Sequence, residues 1–121
     1  MFSLNDSLSY FYFRESTDMR KGFDALSGMV RSQMLRNPLS GEVYIFMNGT
    51  RTTIKILRWE SGGLVIYHKR LEKGRFEEPI YHTQDKSCHL KWAELVMMVQ
   101  GISMQNRVQR KRYNKDEIAY K

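Results

Sequence analysis

One cysteine, Cys88, stands in a chain of 121 residues, so no internal disulfide framework is available and a reducing compartment is expected. Apolar runs of membrane-spanning length are missing: the longest candidate is Leu95-Val96-Met97-Met98-Val99, against roughly 18 residues for a span. Met1-Phe2-Ser3-Leu4-Asn5-Asp6 has neither a basic n-region nor an apolar h-region, so no signal peptide is expected. These absences together predict a cytoplasmic protein without membrane contact. Cys88, His89, His82 and His68 include no Cys-x-x-Cys or His-x₃₋₅-His pair, which predicts no metal site and no cofactor. Asp18, Asp24, Glu60, Glu72 and Glu94 are scattered without the convergence a two-metal nuclease needs. Ser40-Gly41 and Ser61-Gly62 read as turns, not nucleophile elbows. Neither an active site nor a small-molecule substrate is expected, and the chain shows no internal repeat.

What is present is positive charge. Twenty Lys and Arg face thirteen Asp and Glu, for a net charge of +7, in a chain with 41% hydrophobic residues. That composition predicts one ordinary globular domain with a polyanionic partner. The charge is clustered. Residues 41–76 hold Arg51, Lys55, Arg58, Lys69, Arg70, Lys73 and Arg75 against Glu42, Glu60 and Glu72. Residues 107–121 hold Arg107, Arg110, Lys111, Arg112, Lys115 and Lys121 against Asp116 and Glu117. The remaining stretches nearly cancel, so the excess belongs to one central segment and one tail.

Apolar periodicity supplies the elements. Tyr10-Phe11-Tyr12-Phe13 reads as a strand. Ser16 and Thr17 are cap-type residues, Asp18 places negative charge in a first turn, and Met19, Phe23, Leu26, Val30 and Met34 form one helical stripe ending before Asn37-Pro38. Val43 to Met47 then runs into Asn48-Gly49, a strong hairpin signal, with Thr52 to Trp59 returning. After Ser61-Gly62-Gly63, Leu64 to Arg70 gives a third strand of the meander. Ile80-Tyr81-His82 is too short to assign. Ser87 is placed to cap a second helix carrying Leu90, Ala93, Leu95, Val96, Met97 and Val99, closed by Gly101. Met104 and Val108 leave a faint helical hint in the tail. The fold class expected is α+β: an antiparallel β-meander sheet of about four strands packed with two main helices. Residues 1–101 form the domain, and residues 102–121 a basic tail that is either flexible or partly helical.

A two-residue Asn48-Gly49 turn puts Val43, Ile45, Met47, Ile54 and Ile56 on one sheet face and Tyr44, Phe46, Arg51, Lys55, Leu57 and Trp59 on the other. The second face mixes rings and cations, the combination that stacks bases and neutralises phosphates on single strands. The competing reading covers both faces with helices and leaves Arg51 and Lys55 at the edge. Both stay open at this level. Arg20 and Lys21 lie near a helix N-terminus suited to an anion, while Asp24 offers Arg20 an i,i+4 partner. Lys69, Arg70, Lys73 and Arg75, with Arg58 nearby, make the best backbone-contacting patch; Arg107, Arg110, Lys111 and Arg112 form a basic tail.

Five blocks carry a resemblance. They are Thr17-Asp18-Met19-Arg20-Lys21-Gly22-Phe23-Asp24, Pro38-Leu39-Ser40-Gly41, Phe46-Met47-Asn48, Lys55-Ile56-Leu57-Arg58-Trp59, and Lys69-Arg70-Leu71-Glu72-Lys73-Gly74-Arg75-Phe76. In that order they resemble the TnpB-type, Orf2-like accessory protein of the insertion-sequence-66 (IS66) family of bacterial transposable elements, which is distinct from the RNA-guided nucleases also called TnpB. The likeness covers about residues 10–79 well and the helix before Gly101-Ile102 more loosely. It implies a small protein encoded beside a separate, larger transposase and acting as an accessory in transposition. Ser16 stands where members usually have Pro, and Gly49-Thr50-Arg51-Thr52-Thr53 where they usually have an arginine run. Two functions are therefore expected in competition: DNA binding through the basic patch and tail, or an adaptor that binds the transposase and touches DNA indirectly.

Overall fold

The computed structural model describes residues 4–79 and 84–100. The Ile80-Tyr81-His82 segment, the Gly101 cap, and the tail with its Met104 and Val108 helical hint lie outside the described residues. Five strands and two helices follow one another: β1 (Tyr10–Phe13), α1 (Phe23–Ser32), β2 (Val43–Met47), β3 (Thr53–Glu60), β4 (Gly63–Arg70), β5 (Ser87–Leu90) and α2 (Trp92–Gln100). The sheet order is β4-β3-β2-β1-β5.

The α+β class holds, but the purely antiparallel meander does not. β1 runs parallel to β2, with Tyr10 opposite Val43 and Tyr12 opposite Ile45. The cause is the helix between them: a crossover returns the chain to the start of the next strand, whereas a hairpin reverses it. The fifth strand is the second correction. Ser87 does not cap a helix; Ser87–Leu90 pairs antiparallel with β1, putting Cys88 opposite Tyr12 and Leu90 opposite Tyr10. α2 starts after it, where Glu94 Oε1 accepts the Lys91 backbone N–H at 2.7 Å, one half of a capping box.

α1 is shorter than its apolar stripe. Thr17 is drawn out of any helix when its N–H bonds the Met47 carbonyl at 2.9 Å. Asp18 instead closes a turn, accepting the Arg20 N–H at 2.9 Å, and Gly22 takes the N-cap position. Met19 and Phe23 therefore leave the buried stripe, Phe23 at 50% exposure, while Leu26, Val30 and Met34 keep it and Met29 joins them.

The two hairpins exchange the turns expected of them. Asn48-Gly49 is not a two-residue turn: β2 and β3 pair Met47 with Ile54 and Val43 with Arg58. Asn48 Oδ1 accepts the Thr52 and Thr53 N–H groups at 2.9 and 3.0 Å, and Arg51 takes the left-handed conformation at φ 59°. A side chain committed to those donors holds the tip open as a longer loop. The tight turn is Ser61-Gly62, between the Glu60–Gly63 pair, with φ of 50° and 82°.

Each sheet face packs its own core. Tyr10, Tyr12, Val43, Ile45, Met47, Ile54, Ile56 and Leu90 meet Leu95, Met98 and Val99 of α2, and Phe76 from the connector joins them. On the other face Phe13, Tyr44, Phe46 and Leu57 meet Leu26, Met29, Val30 and Met34 around α1. The architecture is helix, sheet, helix. Of the two readings of the ring-and-cation face, the structure has the covered one: Tyr44 and Phe46 are both 0% exposed.

Candidate nucleic-acid interface

Strand alternation sorts the basic residues before any chemistry does. Lys69 and Arg70 are neighbours, so they leave β4 on opposite faces. Lys69, opposite Ile54, points towards α2, where its Nζ donates to the Val99 carbonyl at 2.9 Å. That bond satisfies one of the carbonyls a helix C-terminus leaves open, with the charge sign the helix dipole prefers. Arg70, opposite Thr53, is exposed on the other face, with Glu72 at 3.4 Å. Lys55 sits between Phe46 and His68 and is buried, its Nζ donating to the Lys21 carbonyl at 2.7 Å. Arg58 is opposite Val43 and Val65, towards the far end of β3, 3.8 Å from Glu60. Five residues of strand put that row about 17 Å from the Thr53–Arg70 row. Trp59 lies beside it, half-buried and opposite Leu64.

The expected patch therefore divides. Arg58 and Trp59 stand at one end, Lys69 holds the end of α2, Lys55 holds the segment that leads into α1, and Arg70 belongs to the other end. There the connector after β4 straps the hairpin tip: the Leu71 N–H bonds the Thr52 carbonyl at 2.8 Å and the Phe76 N–H bonds the Arg51 carbonyl at 2.7 Å. Buried Phe76 anchors this strap. Lys73 and Arg75, both exposed, ride on it, and Gly74 makes its bend at φ 77°.

Three open grooves surround this end. One of about 510 Å³ runs between tip and strap, lined by Gly49, Thr50, Thr52, Gly74 and Arg75. Another of about 500 Å³ is lined by Met19, Thr53, His68, Arg70 and Glu72. A third of about 230 Å³ includes Arg14, Ser16, Asn48, Arg51 and Glu78. Glu78 accepts a hydrogen bond from the Tyr12 hydroxyl at 3.0 Å, and the Arg14 guanidinium donates to the Asp85 carbonyl at 2.6 Å. The electrostatics are legible at His68: partial desolvation and the neighbouring Lys55 and Arg70 charges push its pKa below the usual histidine value, so it is neutral near pH 7.

Arg14 is a groove cation that sequence reasoning left out, and Arg51 one that it placed only on the ring-and-cation face. A two-residue turn would put Arg51 on the covered face; the longer loop brings it to the groove instead. Nothing in the sequence marks Arg14, whose place depends on β1 lying beside β2. Arg20 is held by Asp18, 2.7 Å away on an exposed surface, and this guanidinium keeps the Asp18 carboxyl well below the usual carboxylate range. Lys21 is exposed. Arg107, Arg110, Lys111 and Arg112 lie outside the described residues.

Among the described residues no three His, Cys, Asp or Glu side chains converge to hold a metal ion, and no helix is long and apolar enough to cross a membrane. Burial, with Glu94 nearby, raises the pKa of the Cys88 thiol. Glu94 caps α2, Glu60 pairs with Arg58 and Glu72 with Arg70, so those carboxylates face separate tasks.

Two uncharacterised proteins of Sinorhizobium fredii (strain NBRC 101917 / NGR234) are similar: y4jC is 28% identical over 97 residues, 80% of each chain. The second, y4hO, is 30% identical over 86 residues, 71% of this chain and 73% of its own. No solved structure matches. A family model described as IS66 Orf2-like protein matches residues 8–109, which takes in both helices and all five strands. The chain belongs to the IS66 Orf2-like family, whose setting is insertion-sequence transposition.

Proposed function

We propose that this is a non-catalytic accessory of insertion-sequence transposition that binds the DNA backbone through the strapped end of its sheet. The observation that carries the reading is the pair of bonds from Leu71 and Phe76 to the hairpin tip, which straps the segment bearing Lys73 and Arg75 against the loop bearing Arg51, with Arg70 just before the strap. Surface cations with threonine hydroxyls between them suit phosphate oxygens, which position a protein without reading sequence. The Lys69–Val99 bond holds the end of α2 beside β4. In this reading Arg70, Lys73, Arg75 and Arg51 make the principal contacts, with Arg107, Arg110, Lys111 and Arg112 adding affinity. Arg20, Lys21 and Arg58 contribute less, and Lys55, Lys69 and Trp59 serve the fold. Titrating labelled element-end and scrambled duplexes at several salt concentrations tests it: affinity should fall steeply with salt for both. No binding at low salt would sink it.

A second reading has its own observation. β4 is an eight-residue edge strand with Val65 39% exposed and no partner strand beyond it among the described residues. Such an edge suits a protein partner, which makes an adaptor for the element's transposase the alternative. Co-purification with the transposase that survives nuclease treatment and is lost on Val65→Lys favours it.

A further inference from the structure

The strapped end offers charge and hydroxyls but almost no ring faces. Proteins that hold single strands alternate cations with aromatic side chains on which successive bases stack. Here Tyr44 and Phe46 are sealed beneath α1 at 0% exposure, and Phe13 and Phe76 are 2% and 1% exposed. Among the described phenylalanines, tyrosines and tryptophans, Phe23 is the one more than a third exposed, in the first turn of α1. A lone ring supplies no stacking platform. By contrast Arg75, Thr50 and Thr52 line the groove at the tip, and the two threonine hydroxyls are 2.9 Å apart. Side chains of those types hydrogen-bond phosphate oxygens of intact duplex, which demands no unstacked base.

We infer that the ligand of this end is duplex DNA, gripped by its phosphates with its bases left stacked, and that separated strands are poor ligands. This rests on the DNA-binding reading above and specifies its substrate class. The test is fluorescence anisotropy with the full chain, a labelled duplex, and each of its strands at equal length and salt. The duplex should bind about tenfold or more tightly than either strand, and protein tryptophan fluorescence should stay unquenched. Phe23→Ala should leave duplex affinity within about twofold, and Arg70→Glu with Arg75→Glu should lower it about tenfold or more. Circular dichroism establishes that each variant is folded. Equal or tighter binding of a single strand overturns the inference while sparing the DNA reading. A tenfold loss of duplex affinity in Phe23→Ala also overturns it, because that ring would then be inserting between bases. No binding to any of the three overturns the DNA reading, and this inference falls with it.

Discussion

Asn48 illustrates how one side chain can redirect a local signal. Asn-Gly favours a tight turn when both residues take positive φ, but here the amide oxygen satisfies two N–H groups at the start of β3 instead. Asn48→Ala should therefore cost about 1–2 kcal/mol in a urea melt, the penalty for two orphaned donors at a half-buried tip. His68 yields a prediction in pH. Its folded-state pKa is lowered, so the unfolded chain takes up the proton more readily. Stability should hold above neutrality, fall as pH drops through the ordinary histidine range near 6.5, and level off below the folded value. His68→Gln should remove that part of the acid sensitivity, compared by denaturant melts at pH 7 and pH 5. An unchanged acid slope would mean that neither desolvation nor the Lys55 and Arg70 charges disfavour the protonated ring. Single residues are legible in sequence for their type but not for their partners. Lys55 looks like any strand lysine until the Lys21 carbonyl, thirty-four residues away in sequence, accepts a hydrogen bond from its Nζ.

The elements are unevenly legible, for reasons that can be named. The two faces of the β2–β3 hairpin follow from the sequence although its turn does not. The observed register differs from the expected one by an even number of residues, and side-chain direction depends only on parity. The start of α1 falls later than the sequence suggests because Met19 and Phe23 continue the helical spacing; tertiary bonding of Thr17 to Met47 overrides it. β5 resembles a helix start because four residues are too few for a period, and its strand character comes from pairing with β1. Two turn variants test the backbone argument. Leu35 is 81% exposed at φ 58°, so Leu35→Gly should raise stability by about 0.5–1 kcal/mol by relieving a left-handed leucine. Gly62→Ala, at φ 82° in the tight hairpin, should lower it by about 1 kcal/mol. Both are read from thermal or denaturant midpoints. Lys69→Met separates a structural lysine from a binding one: it should destabilise α2 by about 1 kcal/mol while leaving DNA affinity near that of the unaltered chain, unlike Arg70→Glu.

For the molecule as a whole, the crossover from β1 through α1 to β2 decides what kind of surface is left. It lays α1 over Tyr44, Phe46 and Leu57, and α2 covers the opposite face, so neither face of the sheet is free as a platform. Function is left to the ends and edges. At the strapped end, charge reversal of Arg51, Arg70, Lys73 and Arg75 should reduce the slope of log affinity against log salt by about one unit for each phosphate no longer neutralised. The slope is obtained from titrations at several salt concentrations. An unaltered slope would move the interface to the tail or to the β4 edge.

The sign and clustering of charge, the alternation that builds both faces of β2 and β3, and the ordered blocks by which the family is recognised are all written in composition and spacing. They are local properties and need no fold to be read. Which cations meet is another matter, settled only once the chain is folded. Pairing with β3 decides that Lys69 rather than Arg70 faces α2, the crossover buries the rings beside Lys55, and the strap carries Arg75 to the hairpin tip. Each of these outcomes depends on a hydrogen bond or contact between residues distant in the chain, which no local pattern encodes.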